Sequence, residues 1–164
     1  MSDLTVFYVL DLSASMQGEK LDILNHAIEE CNDTLSELAK EKNADLKIAM
    51  MTFSENCDWM TPHGPESIDD FAINYFQCSN EVSNLGVALY ELNNKLYDRD
   101  FYNLTTNDYF PLIIFITDGE ITDDYISAIE CCKANKLYEK STKIAINISD
   151  DSDLEILSRI VENK

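Results

Sequence analysis

Residues 4–20 read LTVFYVLDLSASMQGEK, and two changes of pattern inside this stretch decide the fold. Leu4 to Leu10 is a continuous apolar run, as expected of a strand covered on both faces in a parallel sheet, and it stops at Asp11. Helical spacing follows almost at once. Leu21, Leu24, Ile28, Cys31, Leu35 and Leu38 recur at alternating steps of three and four, which places one apolar stripe on a helix from about Gly18 to Lys40.

The same strand-then-helix grammar repeats along the chain. Asp45 to Phe53 reads as a second strand, and Cys57 to Thr61 as its antiparallel partner at a sheet edge. Pro65 to Phe71 suggests a short helix with proline in its first turn, followed by an extended stretch from Ala72 to Cys78. Leu85, Ala88, Leu89, Leu92 and Leu96 form the buried face of the next helix, with Ser83 or Asn84 placed to cap it.

Phe110 to Thr117 is a second fully apolar strand, ending at Asp118-Gly119, a tight turn. Asp123 and Asp124 can cap a helix carrying Ile126, Ile129, Cys132 and Leu137. Lys143 to Ile148 then reads as a strand and Asp153 to Val161 as a helix. Strands alternating with helices imply an α/β fold: one doubly wound, mostly parallel sheet with an antiparallel edge strand and helices on both faces. Loops leaving the carboxyl ends of its central strands converge on one crevice.

Composition agrees with one domain spanning residues 1–164. The hydrophobic content is 45%, only 4 glycines and 3 prolines are present, and no stretch is low in complexity. A formal charge of −19, from 31 acidic against 12 basic residues, repels phosphate backbones and anionic headgroups, which argues against nucleic acid and membrane as partners. The same acidity keeps a protein soluble and also suits a divalent-cation site. The start, Met-Ser-Asp, lacks the basic region of a signal peptide, and no apolar run approaches the roughly 20 residues of a membrane span. These features read as a cytoplasmic protein. Its five cysteines form an odd set without a Cys-x-x-Cys pair and are expected to be reduced thiols. Neither His26 nor His63 has the spaced partners of a zinc site.

Asp11, Ser13 and Ser15 place three oxygen-bearing side chains at alternate positions in the loop leaving the first strand. Asp118 leaves another strand at the same edge, and Ser83 stands at the mouth of a third loop. Two carboxylates and three hydroxyls are hard donors of the kind Mg²⁺ takes, in a number that leaves room for water and an outside ligand. Each piece also has an ordinary meaning, since Asp and Ser before a helix are caps and Thr117-Asp118-Gly119 is a turn. Their coincidence at one predicted sheet edge favours the metal site.

These residues resemble the von Willebrand factor A family and its metal-ion-dependent adhesion site, in which Asp-x-Ser-x-Ser is joined by a Thr and an Asp from two later loops. Asp11, Ser13, Ser15 and Asp118 match directly. Where the family has Gly-Gly-Thr, this chain has Glu81-Val82-Ser83, which keeps the hydroxyl and loses both glycines. Phe7 to Lys20 and Ile114 to Asp124 look most like the bacterial TerY-like branch.

The resemblance implies direct contact of Ser13 and Ser15 with the ion (Mg²⁺, or Mn²⁺ or Ca²⁺). Asp11 and Asp118 would act largely through water, and Ser83 by either route. It implies a protein partner that supplies an Asp or Glu carboxylate, in a setting of tellurite resistance and stress response alongside a protein kinase or phosphatase. Members of that family usually add a further strand after the last helix, whereas this chain stops at Asn163-Lys164, so either the sheet ends one strand short or the chain is a fragment of a longer protein. Two other readings compete: a Mg²⁺-dependent phosphatase-like enzyme, which lacks a second Asp at the position of Ser13, and a metal-free structural adaptor.

Overall fold

The computed structural model describes residues 1–72, 75–150 and 154–162, and its sheet is built around strand β1 (Ser2–Asp11). A turn of 3₁₀ helix (Ala14–Met16) follows, then helix α1 (Glu19–Glu41) and strand β2 (Ala44–Phe53). The short strands β3 (Cys57–Trp59) and β4 (Glu66–Ser67) precede helix α2 (Leu85–Tyr97) and strand β5 (Leu112–Thr117). Helices α3 (Ile126–Ala134) and α4 (Lys136–Lys140), strand β6 (Thr142–Asn147) and helix α5 (Leu154–Val161) complete the described residues.

The strand order is β3-β2-β1-β5-β6, with β1, β2, β5 and β6 parallel. Every residue of β1 from Leu4 to Asp11 is buried, and the strand's alternation between two covered faces explains why Val6 to Leu10 form an unbroken apolar run. Val6, Tyr8 and Leu10 point into a core beneath α1 with Leu24, Ile28, Ile48, Met50, Ile114 and Ile116. Phe7 and Val9 point into a second core with Phe115 of β5 and with Leu85, Leu89, Leu92, Ile129 and Ile160 from α2, α3 and α5. Each such side chain removed from water contributes about 2 kcal/mol. The doubly wound, mostly parallel sheet expected from the sequence is the one observed.

At the outer edge of β2 the antiparallel pairing comes in two pieces. β3 pairs with Met51 to Phe53, as expected for Cys57 onward, and β4 pairs with Lys47 and Ile48. The short helix expected over Pro65 to Phe71 is therefore replaced by a two-residue strand and a turn. Ladder bonds win because so short a helix cannot offset its own nucleation, whereas here the Ile68 N–H reaches the Leu46 carbonyl at 3.0 Å and Ile68 and Phe71 pack on the α1 core. Of the stretch expected to be extended, residues 73 and 74 lie outside the described residues, as does Asp153, expected to open the last helix.

Two further expectations change. The single helix expected to carry Ile126, Ile129, Cys132 and Leu137 breaks at Asn135, whose buried side chain accepts from the Leu137 N–H at 2.9 Å and donates to Asn93 at 3.0 Å. An Asn that can cap a new helix and bond a neighbouring one outcompetes continuation. At the start of α2 neither Ser83 nor Asn84 caps the helix through its side chain. The Asp123 carboxylate, expected to cap α3, accepts instead from the N–H groups of Gly86 (3.0 Å) and Val87 (3.2 Å). The N-cap position of α3 is Tyr125, without a side-chain cap, and Asp124 accepts from the N–H of Ile126, the first residue of that helix, at 3.1 Å.

That cap demands a glycine. A Cβ at Gly86 would stand 2.6 Å from the Asp124 carbonyl and 2.7 Å from the Asp123 carboxylate. Gly86→Ala is expected to push the loop after β5 off α2 and to cost about 1–3 kcal/mol, read as a lower urea midpoint against the wild-type chain.

Candidate metal centre

The site lies where the sheet changes direction. From β1 the chain winds one way to β2 and the other way to β5, and the carboxyl ends of such neighbouring strands open a crevice. The register pairs Leu10 with Ile116, so Asp11 and Thr117 leave the sheet side by side.

Asp11 is completely buried, and three neutral donors hold it. The Ser13 N–H reaches Oδ1 at 2.9 Å, and the hydroxyls of Ser83 (3.1 Å) and Thr117 (2.7 Å) reach Oδ2. Burial pushes the Asp11 carboxyl above its ordinary pKa; hydrogen bonds from Ser13 and Thr117 oppose that rise, and the nearby Asp118 charge adds to it. An anion in this setting favours the arrival of a cation.

Ser13 is buried, and its Oγ lies 3.2 Å from that of Ser15. Asp118 is likewise completely buried. Its Oδ1 accepts from the Glu120 N–H at 3.1 Å and its Oδ2 from the Lys20 ammonium at 3.0 Å. Burial alone would raise the Asp118 carboxyl, but hydrogen bonds from Ser15, Glu120 and Lys20 and the Lys20 charge bring it below the ordinary range. Gly119 turns the chain away with φ +78°, the tight turn expected there, and donates its N–H to Thr117 Oγ1 at 3.1 Å.

The three loops are stitched together by main-chain bonds. Ala14 N–H reaches the Glu81 carbonyl at 2.9 Å, and Ser79 N–H reaches the Leu12 carbonyl at 2.8 Å. Thr122 clamps Ser83 from the other side: its hydroxyl accepts from the Ser83 N–H (3.1 Å) and its own N–H donates to the Ser83 carbonyl (2.9 Å). Loss of the two glycines at Glu81 and Val82 thus coincides with a second loop fixed at both ends. A cavity of about 480 Å³ opens beside these loops, lined among others by Ser13, Ser15, Ser83, Glu55, Glu81 and Glu120.

All five residues singled out in the sequence, Asp11, Ser13, Ser15, Ser83 and Asp118, meet at this edge. Thr117, Lys20 and Thr122 join them without having been singled out. In the sequence Thr117 stands at a strand end and in the Thr117-Asp118-Gly119 turn, and Lys20 falls at the start of a helix, where the helix dipole disfavours a base. Among the described residues no three His, Cys, Asp or Glu side chains form a cluster. Two carboxylates among hydroxyls make a hard-oxygen donor set, which fits Mg²⁺, Mn²⁺ or Ca²⁺ better than a soft ion.

The fold is that of von Willebrand factor A-type domains. A von Willebrand factor type A protein from Catenulispora acidiphila superposes with a TM-score of 0.67 at 18% identity, over 98% of this chain and 36% of that one. Proximal thread matrix protein 1 from the mussel byssus, in a structure with a zinc-occupied metal-ion-dependent adhesion motif, gives 0.71 at 16% identity over 98% and 41%. The ArnB paralog VWA2 from Sulfolobus acidocaldarius gives 0.56 at 15% identity over 98% and 39%. This chain therefore spans well under half the length of each of these proteins. No family model and no curated protein matches the sequence.

Thr117→Val keeps the shape of the strand end but removes a short bond to a buried carboxylate and strands the Gly119 N–H. Equilibrium urea unfolding of the metal-free chain is expected to show a loss of about 2–3 kcal/mol.

Proposed function

We propose that this chain is a metal-dependent protein-binding module, in which Asp11, Ser13, Ser15, Ser83 and Asp118 hold one divalent ion. The observation that carries the reading is the fully buried Asp11 carboxylate, held only by neutral donors, together with a second buried carboxylate, Asp118, behind a cavity lined by Ser13, Ser15 and Ser83. When bound, the ion supplies an electrophilic open position for a carboxylate from outside. The zinc-occupied motif of the mussel byssus protein supports this reading by likeness of fold.

Mg²⁺ is the ion the donor set favours, with Mn²⁺ and Ca²⁺ as substitutes. The partner is a protein presenting an Asp or Glu side chain. Glu55, Glu81 and Glu120 along the cavity favour basic residues around that carboxylate, since complementary charge sets register and encounter rate. By resemblance to the TerY-like branch, the setting is the bacterial cytoplasm, in tellurite or stress-response signalling, with an associated protein kinase or phosphatase as partner. No helix among the described residues is long and apolar enough to cross a membrane.

A phosphatase-like role for Asp11 is disfavoured by its geometry. A carboxylate nucleophile needs a free oxygen facing the substrate, whereas both Asp11 oxygens are engaged by donors in the protein interior. Catalysis would therefore have to begin by breaking these bonds.

Calorimetric titration of the metal-free chain with Mn²⁺ is expected to give one site, lost in Asp11→Ala. Acetate added to the Mn²⁺-loaded protein should then lower the water-proton relaxation enhancement as a carboxylate replaces bound water. Absence of a Mn²⁺ site at millimolar ion would favour a metal-free adaptor. A site whose relaxation ignores acetate would overturn the carboxylate-docking role.

A further inference from the structure

Lys20 is placed against the electrostatics of its own helix. It is the second residue of α1, where a base faces the positive end of the helix dipole and where Glu19 and Asp22 are the residues the dipole favours. Its ammonium nevertheless turns back toward the sheet edge and lies 3.0 Å from Asp118 Oδ2. Asp11 and Glu120 are the other carboxylates whose charge it feels. The four other salt bridges found among the described residues lie away from this edge, so Lys20 is the cation that answers the site's negative charge.

The two partners differ in freedom. Asp118 has no exposed side-chain surface, while the Lys20 side chain keeps 28% of its own. A fully buried carboxylate cannot follow an ion outward. A lysine on a flexible four-carbon stem can swing its ammonium into solvent without disturbing the core.

From this arrangement we propose that Lys20 is a tethered counter-ion: in the metal-free protein its ammonium neutralises Asp118 at the mouth of the site, and a divalent ion must displace it to bind. The inference rests on the metal-binding reading above and adds a residue that lowers affinity to those that create it. Lys20 works in two directions. Without metal it prevents Asp118 from standing as an unpaired buried charge, and with metal its positive charge repels the ion that shares the same carboxylate. The chain is thus stable in both states, and the ion concentration at which it loads is set partly by a residue that is no ligand.

The test is Lys20→Met, with Lys20→Arg as the charge-conserving control, titrated with Mn²⁺ by calorimetry at fixed pH and ionic strength. Lys20→Met is expected to bind Mn²⁺ at least about tenfold more tightly than wild type, the order that repulsion between close like charges imposes near a protein surface. Lys20→Arg should stay within a few-fold of wild type. Equal or weaker binding by Lys20→Met, with wild type still binding, overturns the counter-ion role and leaves the metal site standing. If neither protein binds Mn²⁺, both readings fall.

Thermal melting supplies a second readout that a merely structural lysine would not move. Lys20→Met should melt below wild type in chelator and show the larger gain on adding Mn²⁺. A loss of melting temperature that is the same with and without Mn²⁺ identifies Lys20 as structural only and overturns the proposal.

Discussion

The structure depends on one buried charge. Asp11 ends the central strand with no exposed surface, and a carboxylate in that position is tolerable only if donors surround it. Those donors come from three separate segments: the Ser13 amide from the loop it opens, the Ser83 hydroxyl from the loop before α2, and the Thr117 hydroxyl from the end of β5. Satisfying one side chain therefore fixes the relative positions of three loops. The clamp between Thr122 and Ser83 and the bond from Ala14 to Glu81 complete the same requirement in main-chain terms.

The sheet makes this burial possible. Since β1 is covered on both faces, alternate residues feed two separate cores, one beneath α1 and one beneath α2, α3 and α5. A strand so enclosed carries its charged side chains, Asp3 and Asp11, at its ends, and at its carboxyl end the neighbouring strand on one side is β5. The polar residues that follow β1 and β5 are thereby delivered to one place.

Legibility in the sequence follows from how local each cause is. The apolar runs of β1 and β5 and the stripe on α1 are set by each segment's own burial, so period and length disclosed them. Asp11, Ser13, Ser15 and Asp118 were legible because they stand directly after such runs. What escaped depends on distant partners. β4 forms because the main chain of β2 has open bonding groups beside it, and the Asn135 break forms because Asn93 waits on another helix. Asp123 caps α2, 37 residues before it, since folding brings that helix start closer than the one it precedes in sequence. Nothing next to Lys20 in the chain points to its partner, Asp118, which lies 98 residues later and meets it only through the fold.

The loop after β5 also answers a question of evolutionary and engineering latitude. Surface loops ordinarily accept inserted residues at little cost. Here residues 117–124 carry a bond to Asp11, the carboxylate that meets Lys20, the Thr122 clamp, the Asp123 cap of α2 and the Asp124 bond to the first N–H of α3, all within eight consecutive positions. Such a segment has no slack. A single added residue would put every later group out of phase with its partner, so this loop has the indel intolerance of a core strand although it runs over the surface. Length variation and inserted tags belong elsewhere in the chain.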